Sequence, residues 1–136
     1  MKLIVDANVL FSALIREGTT RRLFFEAALS LYAPEFLMEE FAEHRQEILE
    51  KTGRSEREFE KVLSILRSRI SFVGLEKLAR FRKGALKASP DPDDAAYLAL
   101  ALCLKDAIIW SNDKSLRGQK RVRVVSTSEL LAMLGK

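Results

Sequence analysis

Four acidic residues stand where this chain can gather carboxylates for work on a metal ion. Asp6 directly follows the apolar run Leu3-Ile4-Val5, and Asp113 closely follows Ala107-Ile108-Ile109-Trp110. Both runs read as buried strands. Glu40 lies on the helix expected after a second short strand, and Asp94 lies in the first turn of the helix after Pro92. Ligands of an open parallel sheet bind outside the carboxyl ends of its strands. If the two apolar strands are neighbours, Asp6 and Asp113 face one crevice, and Glu40 and Asp94 can reach it. Four hard oxygen donors suit Mg²⁺ or Mn²⁺ rather than zinc.

Other chemistries lack parts. The one histidine, His44, and the one cysteine, Cys103, cannot build a Cys/His zinc site, and any Ser-His-Asp triad would have to use His44. Cys103 sits in an apolar run and reads as a core residue. No Gly-rich phosphate loop occurs. An aspartyl-phosphate phosphatase would place a second Asp where Asn8 stands, and a receiver domain would want an Asp near Val73-Gly74. Each acid also has a structural alternative. Asp6 is placed to cap the next helix. Asp91-Pro92-Asp93-Asp94 is good helix-start chemistry, with Asp91 as the cap and Pro92 at the first position. Glu40 belongs to an acid-rich helix, and Asp113 lies in a turn-like stretch. The set of four in one alternating chain is harder to explain this way than any member.

The elements that must position these acids alternate. Strands are expected at 2–5, 31–33, 70–73, 107–110 and 122–125. Helices are expected at 9–15, 21–29 with its N-cap supplied by the Gly18-Thr19-Thr20 break, 35–51, 55–70, 75–86, 93–104 and 127–134. Ser55 with Glu58 has capping-box spacing, and 89–92 is a break. Strands alternating with helices argue for a parallel sheet covered on both faces, a three-layer α/β/α sandwich of about five strands. Strand 1, apolar throughout, is expected at its centre, in the flavodoxin-like order.

The ordered motifs resemble the PIN-domain family. Asp6-Ala7-Asn8-Val9-Leu10 is similar to its opening, and Glu40-Phe41 to its helical glutamate followed by an apolar residue. Asp91-Pro92-Asp93-Asp94 before Tyr97-Leu98-Ala99-Leu100-Ala101 is similar to its third motif, and Ser111-Asn112-Asp113-Lys114-Ser115-Leu116 to its fourth. The resemblance covers nearly the whole chain, so one domain over 1–136 is expected. It implies Asp6, Glu40, Asp94 and Asp113 as metal acids for Mg²⁺ or Mn²⁺, with Asn8 and Ser111 as groups that orient them. Glu39 competes with Glu40, which is chosen for the Phe41 that follows it. Asp93 competes with Asp94, which is chosen for its spacing to the 98–101 run. Arg16, Arg21, Arg22, Lys114 and Arg117 are substrate-phosphate candidates by proximity in sequence alone. The resemblance further implies an endoribonuclease acting on single-stranded RNA, a homodimer, and kinship with the toxin half of toxin–antitoxin pairs, with an antitoxin as partner. The alternative is a silent PIN-like module that binds RNA or protein without cutting.

Composition agrees with a globular domain: 48% apolar and 31% charged residues. The formal charge is +4, and withdrawing four acids into a cluster leaves 15 acidic against 23 basic residues. A basic surface around an acidic pocket suits a polyanion. No run approaches the roughly 20 apolar residues of a membrane span, and no signal peptide is read, so a cytoplasmic, non-membrane protein is expected. The aromatic residues fall mostly at apolar positions, and no base-stacking platform is expected.

Overall fold

In the computed structural model, β1 (Lys2–Val5) is the middle strand of a five-stranded sheet. The structure describes residues 1–89 and 91–136; Pro90, part of the expected break, lies outside them. Leu3, Ile4 and Val5 have no solvent exposure. A strand that is apolar on both faces is at home only where both faces are covered. β1 pairs in parallel with β2 (Ser30–Pro34) on one side and β4 (Ala107–Trp110) on the other. β3 (Ile70–Val73) lies outside β2, and β5 (Val124–Val125) outside β4.

The strand order is therefore 3-2-1-4-5. This corrects the flavodoxin-like expectation, in which β1 would lie between β2 and β3. The burial of β3 supplies the reason. Only Ile70 of its four residues is buried, so it tolerates an edge and β4 takes the central place. The chain builds outward from β1 to β3, then reverses to β4. The reversal puts the topological switch point between β1 and β4, where ligand crevices of open α/β sheets lie.

Right-handed crossovers send the helices before and after that reversal to opposite faces. α1 (Ala7–Ile15) packs on α2 (Thr19–Leu23), α3 (Phe36–Thr52) and α4 (Glu56–Ser68). In the second layer α7 (Pro92–Cys103) packs on β1, β2 and β4, under α5 (Leu75–Leu78) and α6 (Arg82–Ala88). The expected single helix at 75–86 is instead α5, a 3-10 turn (Ala79–Phe81) and α6. The turn redirects the chain so that Leu78 and Ala85 both bury against the same layer. α2 ends earlier than expected and has Gly18, the first residue of the expected Gly18-Thr19-Thr20 break, at its cap position. Ser55 accepts from the Glu58 amide, while the full reciprocal capping box occurs at Ser126 and Glu129 of α9 (Thr127–Met133). A short α8 (Lys114–Arg117) follows β4. Among the described residues no helix is long and apolar enough to cross a membrane.

Two arginines close the C-terminus of α1. Arg21 donates through Nε to the Ala13 carbonyl at 2.7 Å and through Nη2 to that of Leu14 at 3.1 Å. Arg54 donates to the Leu14 carbonyl at 2.8 Å. The last carbonyls of a helix lack intrahelical partners and carry partial negative charge, so guanidinium groups satisfy them on both counts. Arg21→Met is expected to lower the unfolding free energy by about 1.5–3 kcal/mol, the range for hydrogen bonds to charged groups. Urea unfolding monitored by circular dichroism checks this; a loss within the roughly 0.5 kcal/mol typical of surface substitutions would show that the clasp is unimportant.

Candidate active site

The β1–β4 register sets the first distance. Val5 is opposite Trp110, so the next residues, Asp6 and Ser111, emerge side by side, and the Asp6 amide donates to the Trp110 carbonyl. The Ser111 hydroxyl donates to Asp6 Oδ2 at 2.7 Å and accepts from the Asp113 amide at 3.0 Å. Asp113 in turn caps α8, its Oδ1 accepting from the Ser115 amide at 2.9 Å. The Ser115 hydroxyl donates to Asp94 Oδ2 at 3.3 Å, and so does the Ser89 hydroxyl. A continuous polar path thus runs Asp6–Ser111–Asp113–Ser115–Asp94.

Asp94 is placed by α7, which Asp91 and Pro92 start: the Asp91 side chain accepts from the Asp93 amide, and Pro92 occupies the first turn. The expected cap is Asp91, and Asp94 lies in the first turn, where the helix dipole favours an acid, while its side chain accepts from Ser89 and Ser115 and, among the described residues, not from the helix's own amides. Three residues on, along the same face, Tyr97 is buried, and its hydroxyl donates to Glu40 Oε1 at 2.5 Å. Glu40 comes from α3 and is half-buried, whereas Glu39 and Asp93 are exposed. Asp6 stands at the cap position of α1, but its side chain makes no cap hydrogen bond there.

Burial and crowding act on these acids together. Burial holds the Asp6 carboxyl above the ordinary aspartate value, against the Ser111 hydroxyl, with further upward pressure from Asp113 and Asp94. Burial likewise raises Asp94, assisted by Asp91 and Asp113 and opposed by the two serine hydroxyls. Glu40 is pushed up to about 7, chiefly by burial, with Tyr97 opposing and Asp6, Asp93 and Glu43 adding repulsion. Burial and Glu40 push the Tyr97 phenol up, so it stays a proton donor to the carboxylate. Among the described residues none of Asp6, Glu40, Asp94 and Asp113 has a cationic side chain in an ion pair. Buried carboxylates without one call for a proton or a bound cation. The donors are all hard oxygens, which fits Mg²⁺ or Mn²⁺. Serine hydroxyls stand between the acids, and among the described residues no three His, Cys, Asp or Glu side chains converge tightly enough to enclose an ion by themselves.

The remaining sequence candidates divide. Ser111 touches two of the acids. Asn8 is exposed, makes no hydrogen bond to them among the described residues, and lines a cleft of about 600 Å³ between α1 and α3 together with Arg16. Arg21 is occupied with α1, Arg22 with Thr19, and Arg117 with Glu129. Lys114, next to Asp113, is exposed and unpaired among the described residues. Ser89, Ser115 and Tyr97 were not singled out from sequence. Two of them had a signal: Ser115 lies two residues after Asp113, and Tyr97 three after Asp94.

Comparison with known proteins places the fold. The family model described as PIN domain matches residues 4–133. VapBC2 from Rickettsia felis, solved bound to a DNA fragment from their promoter, superposes with a TM-score of 0.67 at 12% identity, over 93% of this chain and 98% of that chain. PAE2754 from Pyrobaculum aerophilum superposes with a TM-score of 0.66 at 15% identity, over 99% and 90%. At such identities the likeness concerns the fold. No curated protein matches the chain.

The raised Glu40 gives a signed pH dependence. Its native pKa of about 7 exceeds the ordinary value of 4.5, so the native state holds the proton more tightly than the unfolded chain. Its stabilising contribution is full below about 4.5 and is lost as pH rises through about 7. In EDTA the melting temperature is expected to fall between pH 5 and pH 7.5, and to fall less in Glu40→Gln. Equal slopes for parent and variant, by calorimetry, would show that Glu40 titrates normally.

Proposed function

We propose, from the premise that this chain belongs to the PIN domain family, that it is a metal-dependent endoribonuclease of single-stranded RNA. The observation that carries the reading is the run of carboxylates at the β1–β4 switch point, Asp6 and Asp94 buried and Glu40 and Asp113 half-buried, tied together by hydroxyls and without a cationic partner among the described residues. Asp6, Asp94 and Asp113 would hold Mg²⁺ or Mn²⁺, and Glu40 would complete the set. When bound, the ion supplies Lewis acidity toward water and the scissile phosphate. The protein's own groups do the rest. Ser111 keeps Asp6 turned toward Asp113. Ser89 and Ser115 together fix one oxygen of Asp94, leaving the other available. Tyr97 holds Glu40 on the same side of the crevice. Lys114, exposed and next to Asp113 in sequence, would meet a substrate phosphate. No covalent nucleophile is required.

The role of Glu40 follows from its pKa near 7. Around neutrality it carries either a proton or part of the cation's charge. Cation binding must displace that proton, so affinity for Mn²⁺ rises with pH through about 7. The reading extends to a toxin restrained by an antitoxin, supported by the fold shared with the VapBC2 complex, and to a homodimer in the cytoplasm.

The purified protein is expected to cut single-stranded RNA with Mg²⁺ or Mn²⁺ and to be silent in EDTA. Asp6→Asn, Asp94→Asn and Asp113→Asn should each lose more than roughly 100-fold in rate, and Ser111→Ala roughly 10–100-fold, the range for groups that orient a ligand. Circular dichroism controls for folding. Asp6→Asn cutting at the parental rate would rule out this mechanism.

A further inference from the structure

Beside the acids lies a groove that neither the motifs nor the comparisons account for. It runs between α7 and the segment 75–88 and has a volume of about 410 Å³. Phe36, Leu75, Leu78, Ala95, Ala96 and Ala99 form apolar walls, and two charged groups, Arg82 and Asp93, stand at its polar side. Its mouth adjoins the site. Asp93 precedes Asp94, and its charge lies close enough to Glu40 to help raise it. Leu75 is 61% exposed, so part of the apolar wall has no cover.

The segment over the groove is strongly basic. Residues 75–88 hold Lys77, Arg80, Arg82, Lys83 and Lys87 against the single acid Glu76, a surplus as large as the +4 of the whole chain. Among the described residues none of these five cations enters an ion pair, although six pairs form elsewhere. An apolar slot with Arg82 at its edge, on a segment that carries four more exposed cations, and with Asp93 beside the buried Asp94, is complementary to single-stranded nucleic acid. Bases favour the slot, and phosphates favour the cations.

We infer that this groove is a nucleobase subsite: it takes the base of a nucleotide next to the one being cut, with an adjoining phosphate on Arg82. Stacking area comes from Phe36 and the apolar wall. Asp93 accepts from an amino edge, as acidic side chains do from cytosine N4. The groove therefore favours cytosine or adenine over uracil. The inference rests on the RNA reading above but not on catalysis, because binding can be read without cleavage.

The test is fluorescence anisotropy with a labelled single-stranded RNA of mixed sequence, in EDTA, on the full chain. Ala96→Phe fills the slot and is expected to weaken binding about tenfold, since stacking of one base is worth roughly that factor. Arg82→Ala is expected to weaken it and to reduce the salt slope by about 1. Lys61→Ala, an exposed cation on α4, should change neither. Where Ala96→Phe fails to fold, Arg82→Ala against Lys61→Ala decides. Parental affinity in a folded Ala96→Phe, or an unaltered salt slope in Arg82→Ala, would overturn the subsite. So would absence of RNA binding by the parent. Loss of a dimer in light scattering by Ala96→Phe, with RNA affinity unchanged, would assign the groove to a protein contact instead and also overturn it. A parallel Mn²⁺ cleavage assay separates the two readings. Binding that depends on the groove without cutting removes only the nuclease; cutting that ignores the groove removes only the subsite.

Discussion

Pairing β1 directly with β4 costs the chain a long excursion, since about a hundred residues separate the two strands. The pairing is held by apolar burial: Leu3, Ile4, Val5, Ile109 and Trp110 are all without exposure. Loop closure over so many residues costs only slightly more than over half as many, whereas a strand this deeply buried needs a neighbour on each edge to satisfy its backbone N–H and C=O groups. Once Val5 lies opposite Trp110, the adjacent positions of Asp6 and Ser111 follow without further choice. A one-residue slip would turn Ile109 and Trp110 to the wrong faces, so the core that stabilises the sheet also enforces the position of the acids. Trp110 is held twice more, by packing at 5.6 Å from Phe24 and by its Nε1–H donating to Thr127 at 3.0 Å.

What could be read from the sequence follows this division between local and distant causes. β1, β3 and β4 occupy the expected residues, because short β-branched and apolar runs ended by Asp or Gly are local signals. The start of α7 was equally plain in Asp91-Pro92-Asp93. The strand order was not, since it depends on which strand tolerates an edge, and that is a comparison among strands. The break within 75–88 was hidden as well. Leu75, Leu78 and Ala85 satisfy a helical period whether or not a 3-10 turn interrupts it.

The site shows the same pattern. The candidate acids and their chain order could be named from the sequence, and the structure separates half-buried Glu40 and buried Asp94 from exposed Glu39 and Asp93. The hydroxyls were mostly illegible. Serine is common in turns and caps, so Ser89 carried no distinctive signal, and the spacing of Ser115 to Asp113 and of Tyr97 to Asp94 was easily read as a turn and as one more core residue in an apolar run. Arg21 misled in the opposite way, being near the acids in sequence but committed to the α1 carbonyls in space. Asn8 was placed among the acids by motif, yet its side chain faces solvent.

The choice of neighbours around the acids has a physical consequence. Arg or Lys at positions 89, 97, 111 or 115 would have neutralised the carboxylates and made the empty crevice more comfortable. Serine and tyrosine hydroxyls orient the same oxygens while leaving the net negative charge uncompensated. Each hydroxyl can donate only one bond and keeps its own acceptor lone pairs, so the crevice remains rich in acceptors and poor in donors. Such an environment is costly when empty and favourable to a hard cation. Cations are instead collected outside, on 75–88, where they meet water and not the acids. The separation leaves the carboxylates their negative charge and the cations of 75–88 their positive charge, whereas a single internal Arg would collapse the two into one neutral salt bridge.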